Sequence, residues 1–102
     1  MREYLPNRRQ STSLKFTVDG LRYQCSFSRF KDGRPAEVFI YAGKVGSNVN
    51  VMARDLAVVT SLALQYGVPV ETIRSALEQE VDGTQRGPLG VLLKLIEDEA
   101  KK

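Results

Sequence analysis

Between Leu14 and Tyr41 apolar and polar residues alternate with a period of two, in three stretches separated by turn-forming residues. Leu14, Phe16 and Val18 point one way and Lys15, Thr17 and Asp19 the other, the pattern of a half-buried strand. Asp19-Gly20 comes next, a two-residue hairpin signal because glycine tolerates positive φ. Leu21, Tyr23, Cys25 and Phe27 then alternate with Arg22, Gln24, Ser26 and Ser28. After a second turn at Lys31-Asp32-Gly33-Arg34-Pro35, Ala36, Val38 and Ile40 alternate with Glu37, Phe39 and Tyr41. The pattern predicts a three-stranded antiparallel meander with one buried face. Such a sheet is not stable with that face bare, so the rest of the chain must cover it.

Residues beyond Ala42 read as helix. After Ala42-Gly43-Lys44-Val45-Gly46, either Ser47 or Asn48 can cap a helix running to about Tyr66. Met52, Leu56, Val59, Ala63 and Tyr66 recur at spacings of 4, 3, 4 and 3, and Val51, Val58 and Leu62 widen the stripe. That face predicts a central helix lying across the sheet. Gly67 suits the position after a helix end, and Pro69 the first position of the next helix, with Val70, Ile73, Leu77 and Val81 as its buried edge. Asp82 to Gly87 reads as a polar loop. Pro88 opens a third helix with Leu89, Leu92, Leu93 and Ile96 inward, and Glu97 to Lys102 is expected to fray. The fold class is therefore α+β, β-β-β-α-α-α: a three-stranded meander covered on one face by three helices. Residues 1–13, polar and without period, read as an N-terminal arm, and 14–102 as one domain.

Composition excludes several chemistries. The chain has 102 residues, one cysteine (Cys25), no histidine and no tryptophan. A chain with one thiol forms no internal disulfide, and without histidine it offers no imidazole base, no Ser–His triad and no conventional zinc or iron–sulfur site. Cys25 shares a strand face with Leu21, Tyr23 and Phe27 and reads as a small hydrophobe. No catalytic residue, resident metal or cofactor is expected. No apolar run is long enough to span a bilayer, and no signal segment opens the chain, which leaves a cytoplasmic protein as the expectation.

Charge is uneven. Residues 1–34 hold eight Lys/Arg and three Asp/Glu, a balance of +5; residues 35–102 hold seven and nine, a balance of −2. Arg8, Arg9, Arg22, Arg29, Lys31 and Arg34 can form a basic patch beside Phe39 and Tyr41 on the open face of the sheet. Basic residues beside exposed aromatics suit single-stranded nucleic acid. They equally suit a protein partner, where Tyr and Arg are favoured anchors. A merely solvated polar face is the plainer alternative. The strand-to-helix loop Gly43, Lys44, Val45, Gly46, Ser47 is a candidate anion or nucleotide site through backbone N–H groups and Lys44. It lacks P-loop spacing, and a tight connection needing two flexible residues explains it as well.

Three segments together resemble the TSCPD-type C-terminal domain of adenosylcobalamin-dependent ribonucleotide reductases. Leu5-Pro6-Asn7-Arg8-Arg9 is similar to the family's LPxRR opening segment. Phe30 to Ile40, with Lys31-Asp32-Gly33 and Glu37-Val38-Phe39-Ile40, resembles its DGxxxEVFI hairpin, and Ser61 to Pro69 its SLxLQYGVP junction. Two departures matter. The Thr-Ser-Cys-Pro-Asp segment is replaced by Thr84-Gln85-Arg86-Gly87-Pro88, and a Gly-Gly-Cys-Pro loop of many relatives by Gly43-Lys44-Val45-Gly46. The element order is also similar to that of iron–sulfur scaffold proteins, whose ligands sit in the same two loops. The resemblance implies an accessory or detached domain, a noncatalytic module that regulates or docks onto a partner, with ribonucleotide reductase as the implied partner. The alternative is a stand-alone nucleotide- or single-stranded nucleic-acid-binding protein; an independent enzyme is a third reading, against which the lack of histidine and thiols weighs. Oligomeric state is left open by the sequence.

Overall fold

The computed structural model describes residues 1–43 and 46–100. The chain runs β1 (Thr12–Val18), β2 (Leu21–Arg29), β3 (Pro35–Ala42), α1 (Asn48–Gln65), α2 (Val70–Ala76) and α3 (Pro88–Ala100). The strands form one antiparallel sheet in the order β1-β2-β3, so the α+β meander followed by three helices is the fold the alternation predicts.

Local chemistry sets the register. Asp19 (φ 51°) and Gly20 (φ 80°) both occupy the left-handed region, the requirement of a primed hairpin turn whose twist matches the strands. That turn places Leu14 opposite Cys25 and Phe16 opposite Tyr23. On the other side Cys25 faces Ile40 and Phe27 faces Val38, with a register shift at Ser28/Arg29. Tyr23, Cys25, Phe27, Val38 and Ile40 are buried in one cluster with Leu89, Leu92, Leu93 and Ile96 of α3, the inward face expected of that helix. Each fully buried side chain of this size stabilises by about 1.5–3 kcal/mol.

Four details differ from expectation. Strand β1 starts at Thr12, two residues before Leu14. Pro69 is the N-cap of α2 rather than its first residue, and α2 stops at Ala76, so Val81 lies fully exposed beyond it while Ile73 and Leu77 pack against the core. α3 continues as helix through Ala100. Its last turns are held by a Lys94–Asp98 pair at 2.9 Å and by Arg74 of α2, whose Nε lies 2.8 Å from Glu97 Oε1. The latter is off the line a hydrogen bond needs and acts as an ion pair.

The fourth difference is the largest. α1 lies along the free edge of β3 and turns Asn50, Ala53, Ala57, Thr60, Leu64 and Gln65 inward. The 4-3-4-3 row expected to be core faces out: Met52 is 71% exposed, Val59 64% and Tyr66 61%. The cause is the strand edge. Unpaired backbone N–H and C=O groups along β3 need polar partners, since burying them unbonded is costly. Asn50 Oδ1 accepts from Ala42 N at 3.0 Å. Ser61 Oγ accepts from Val38 N at 2.9 Å and donates to Val38 O at 3.1 Å, and Gln65 Nε2 donates to Ala36 O at 3.1 Å. Ala53 and Ala57 are small enough to let the helix approach.

Candidate interaction surface

The N-terminal residues are not loose against this frame. Glu3 N donates to Gln65 O at 2.8 Å, and Arg2 Nε to Gln65 Oε1 at 2.7 Å. Farther along, Arg9 grips Glu37 through two parallel bonds, Nε to Oε1 at 2.5 Å and Nη2 to Oε2 at 3.0 Å. Glu37 alternates outward with Phe39 and Tyr41, yet it is buried because the arm crosses that end of the sheet.

The basic residues singled out from the sequence therefore separate into two groups. Arg9 is bound to Glu37. Arg29 donates to Gly33 O and, across to α3, to Ile96 O, both at 2.9 Å, with its guanidinium 5.1 Å above the Phe27 ring. Arg34 pairs with Asp32 and Glu3 and lies over Phe30. These three have partners within the chain, although Arg9 and Arg34 remain exposed. Arg8, Arg22 and Lys31 stay exposed, as do Phe39 and Tyr41. Arg22 shares the outward face of the sheet with Tyr41, which pairs with its neighbour Gln24, while Arg8 and Lys31 flank the arm. Part of the basic charge is thus offset by Glu37, Glu3 and Asp32.

Phe39 and Tyr41 form one wall of a groove of about 480 Å³ whose other wall is Val51, Arg54, Val58 and Leu62 of α1. Arg54 lies 5.8 Å from the centre of the Tyr41 ring. On the far side of α1 a second, more apolar recess is lined by Tyr23, Val49, Met52, Leu56, Val59 and Pro88. α1 thus exposes apolar side chains on both flanks. Sequence reasoning missed this surface because it assigned the same residues to the core. The usable signal was the other row, Asn50, Ala53, Ala57, Ser61 and Leu64, small and polar at helical spacing.

In the loop before α1, Gly43 (φ 61°) and Gly46 (φ 82°) occupy the left-handed region, and Lys44 lies outside the described residues. Ser47 caps α1, its Oγ accepting from Asn50 N at 3.2 Å. Among the described residues no cluster of three or more His, Cys, Asp or Glu is placed to hold a metal ion, and no helix is long and apolar enough to cross a membrane.

Cys25 is buried between Leu14 and Ile40, and burial pushes its thiol up to about 12 from 9.0. That cuts the thiolate fraction at neutral pH by about three powers of ten relative to an open thiol. Alkylation of the native protein by iodoacetamide at pH 8 is expected to run at least about a hundredfold slower than in denaturant. Equal rates would show the thiol accessible. Because the folded value is raised, this group's contribution to stability is intact below pH 9 and lost as pH climbs toward 12.

The segments that carry the family resemblance meet in space. Arg9 of the opening segment binds Glu37 of the hairpin; Ser61 and Gln65 of the junction bind Val38 and Ala36. At the junction itself Val68 N donates to Ala63 O and Gly67 N to Leu64 O, both at 3.0 Å, with Gly67 at φ 95°. This is the paired C-terminal bonding that a glycine permits. The profile of the TSCPD domain matches residues 2–97. The chain belongs to the TSCPD domain family. It is 46% identical over 70 residues to a vitamin B12-dependent ribonucleotide reductase of Agrobacterium fabrum, covering 69% of this chain and 6% of that one. A reductase of the same description from Rhodopirellula baltica is 40% identical over 72 residues, 71% of this chain and 7% of the relative. For Streptomyces clavuligerus the figures are 35% over 72 residues, 71% and 8%. The chain thus spans less than a tenth of the length of these relatives. No solved structure matches it.

Proposed function

We propose that this TSCPD domain is a noncatalytic accessory module of deoxyribonucleotide synthesis, working in the cytoplasm by docking onto a B12-dependent ribonucleotide reductase. The observation that supports the reading is how the shared residues are used. Those that can be followed into the structure brace the arm, the edge of β3 and α1 against one another, and the one thiol is buried. Left outside are Arg22, Phe39 and Tyr41 on the sheet face and Arg8 beside the arm, amphipathic side chains of the kind that anchor protein interfaces.

Two measurements test it. Mixed with a purified B12-dependent reductase, the chain is expected to co-elute in gel filtration, and Arg22→Ala with Tyr41→Ala is expected to weaken that complex at least tenfold. Both side chains are exposed, so the melting temperature is expected to hold. Turnover of nucleoside di- or triphosphates by the chain without a reductase would overturn the noncatalytic part. Tight binding of single-stranded oligonucleotide at ~150 mM salt, falling steeply with added salt and lost in the same variant, would instead assign the surface to nucleic acid.

A further inference from the structure

The arm, the end of β2 and the start of the turn after it enclose a cleft of about 1110 Å³. Its charged lining is Arg8, Arg9, Arg29 and Lys31 against the carboxylate of Glu3. Glu3 is taken by Arg34, and Arg9 by Glu37. Arg29 donates to two backbone carbonyls, which leave its charge in place. Among the described residues neither Arg8, Arg29 nor Lys31 pairs with an acid. Three cations thus line one cleft without a counter-ion. Ser28 adds a group of another kind. It is 3% exposed, sits opposite Glu37 in the sheet and lines the same cleft. Its hydroxyl has no hydrogen-bond partner among the described residues. Buried polar groups are ordinarily paired, so an unpaired one beside a basic cleft points to a ligand. Ser11 and Thr12 bring two exposed hydroxyls to the same lining.

We propose that this cleft binds a phosphate chain, free as tripolyphosphate or carried by a nucleoside triphosphate. Phosphate oxygens accept from guanidinium, ammonium and hydroxyl groups alike. A chain of three phosphates carries about four negative charges at neutral pH, a fit for three cations free of carboxylates. A lone carboxylate is saturated by one arginine, as Glu37 is by Arg9. Arg8, Arg29 and Lys31 supply the charge, and Ser28 supplies a buried donor. A nucleic-acid strand needs its cations in a track along the surface, whereas the exposed sheet cations Lys15 and Arg22 do not line this cleft. Arg22, Phe39 and Tyr41 lie outside it too, so the site stands whether or not the chain docks onto a reductase.

Isothermal titration calorimetry of the full chain with sodium tripolyphosphate at about 50 mM salt tests the proposal. One site with a dissociation constant below ~100 μM is expected, and orthophosphate is expected to bind at least about tenfold more weakly. Lys31→Glu, an exposed change, is expected to weaken tripolyphosphate binding at least about tenfold. Ser28→Ala is expected to weaken it by about tenfold, the loss of one hydrogen bond to a charged group. Because that hydroxyl is unpaired in the free chain, Ser28→Ala is also expected to leave the melting temperature unchanged or raise it; a serine that only braced the fold would lower it. ATP bound as tightly as tripolyphosphate marks a free phosphate chain as the ligand. ATP bound at least about tenfold tighter, with the gain lost in Tyr4→Ala, marks a nucleoside triphosphate whose base meets the exposed Tyr4 ring. No binding at about 2 mM tripolyphosphate, or binding indifferent to Lys31→Glu and Ser28→Ala, would overturn the proposal. So would a single-stranded oligonucleotide that binds more tightly than either phosphate compound and is lost with Lys31→Glu.

Discussion

Arg9→Ala is expected to destabilise the domain by about 2–3 kcal/mol, a fall in melting temperature of roughly 10–20 °C for a chain of this size. The loss comes from the charge that the substitution strands. The Glu37 side chain is 9% exposed and meets Arg9 in a bidentate pair; Arg9 also donates to Pro6 O at 2.7 Å, fixing the turn of the arm. Removing one partner of a fully buried pair costs about 3–5 kcal/mol, because the remaining charge has no counter-ion. Here the Arg9 side chain is 30% exposed, water reaches the site, and the smaller figure is expected. Arg9→Lys is expected to recover only part, since an ammonium does not reproduce the fork. Chemical denaturation of Arg9→Ala, Glu37→Ala and the double variant completes the cycle. The double variant is expected to lose clearly less than the sum of the singles. Additive losses, or a single loss under about 0.5 kcal/mol, would show that the pair does not hold the arm.

Arg9 thus has a bracing role that the sequence did not suggest, and the difference shows what sequence patterns carry. Strand alternation was legible because its period sorts residues onto two faces, and the Asp19-Gly20 turn fixed which faces met. α3 was legible for a related reason: Leu89, Leu92, Leu93 and Ile96 make one apolar stripe opposite charge. α1 was not, because it is apolar nearly all round, and hydrophobicity does not say which side of such a helix is inward. The side was chosen by hydrogen bonding, since only Asn50, Ser61 and Gln65 answer the backbone groups of Ala42, Val38 and Ala36. Long-range side-chain contacts were equally invisible. Arg9 and Glu37 are 28 residues apart, and Arg29 reaches the carbonyl of Ile96 67 residues on. Counting arginines therefore did not show which of them pair with acids or carbonyls inside the chain.

Gln65→Ala is expected to cost about 2–3 kcal/mol and to loosen the arm from the domain. Gln65 is 7% exposed and joins three parts of the chain. Its amide nitrogen answers Ala36 O on the β3 edge, its amide oxygen accepts from Arg2, and its backbone carbonyl accepts from Glu3 N. Alanine keeps only the last. The carbonyl of Ala36 then lies buried without a partner, a loss of about 1–3 kcal/mol, and the charge-assisted bond from Arg2 disappears with it. Gln65→Met separates hydrogen bonding from packing, since it fills the space without either amide contact. It is expected to recover the smaller, cavity-related part of the loss and leave the larger part in place. Limited trypsin digestion supplies a second readout. With Arg2 released, cleavage at Arg8 and Arg9 is expected to accelerate several-fold in both variants, before global unfolding contributes. If Gln65→Met restored full stability and wild-type protease resistance, the amide would be a space-filler. The joining of arm, strand edge and helix would then rest on Arg9–Glu37 and Ser61.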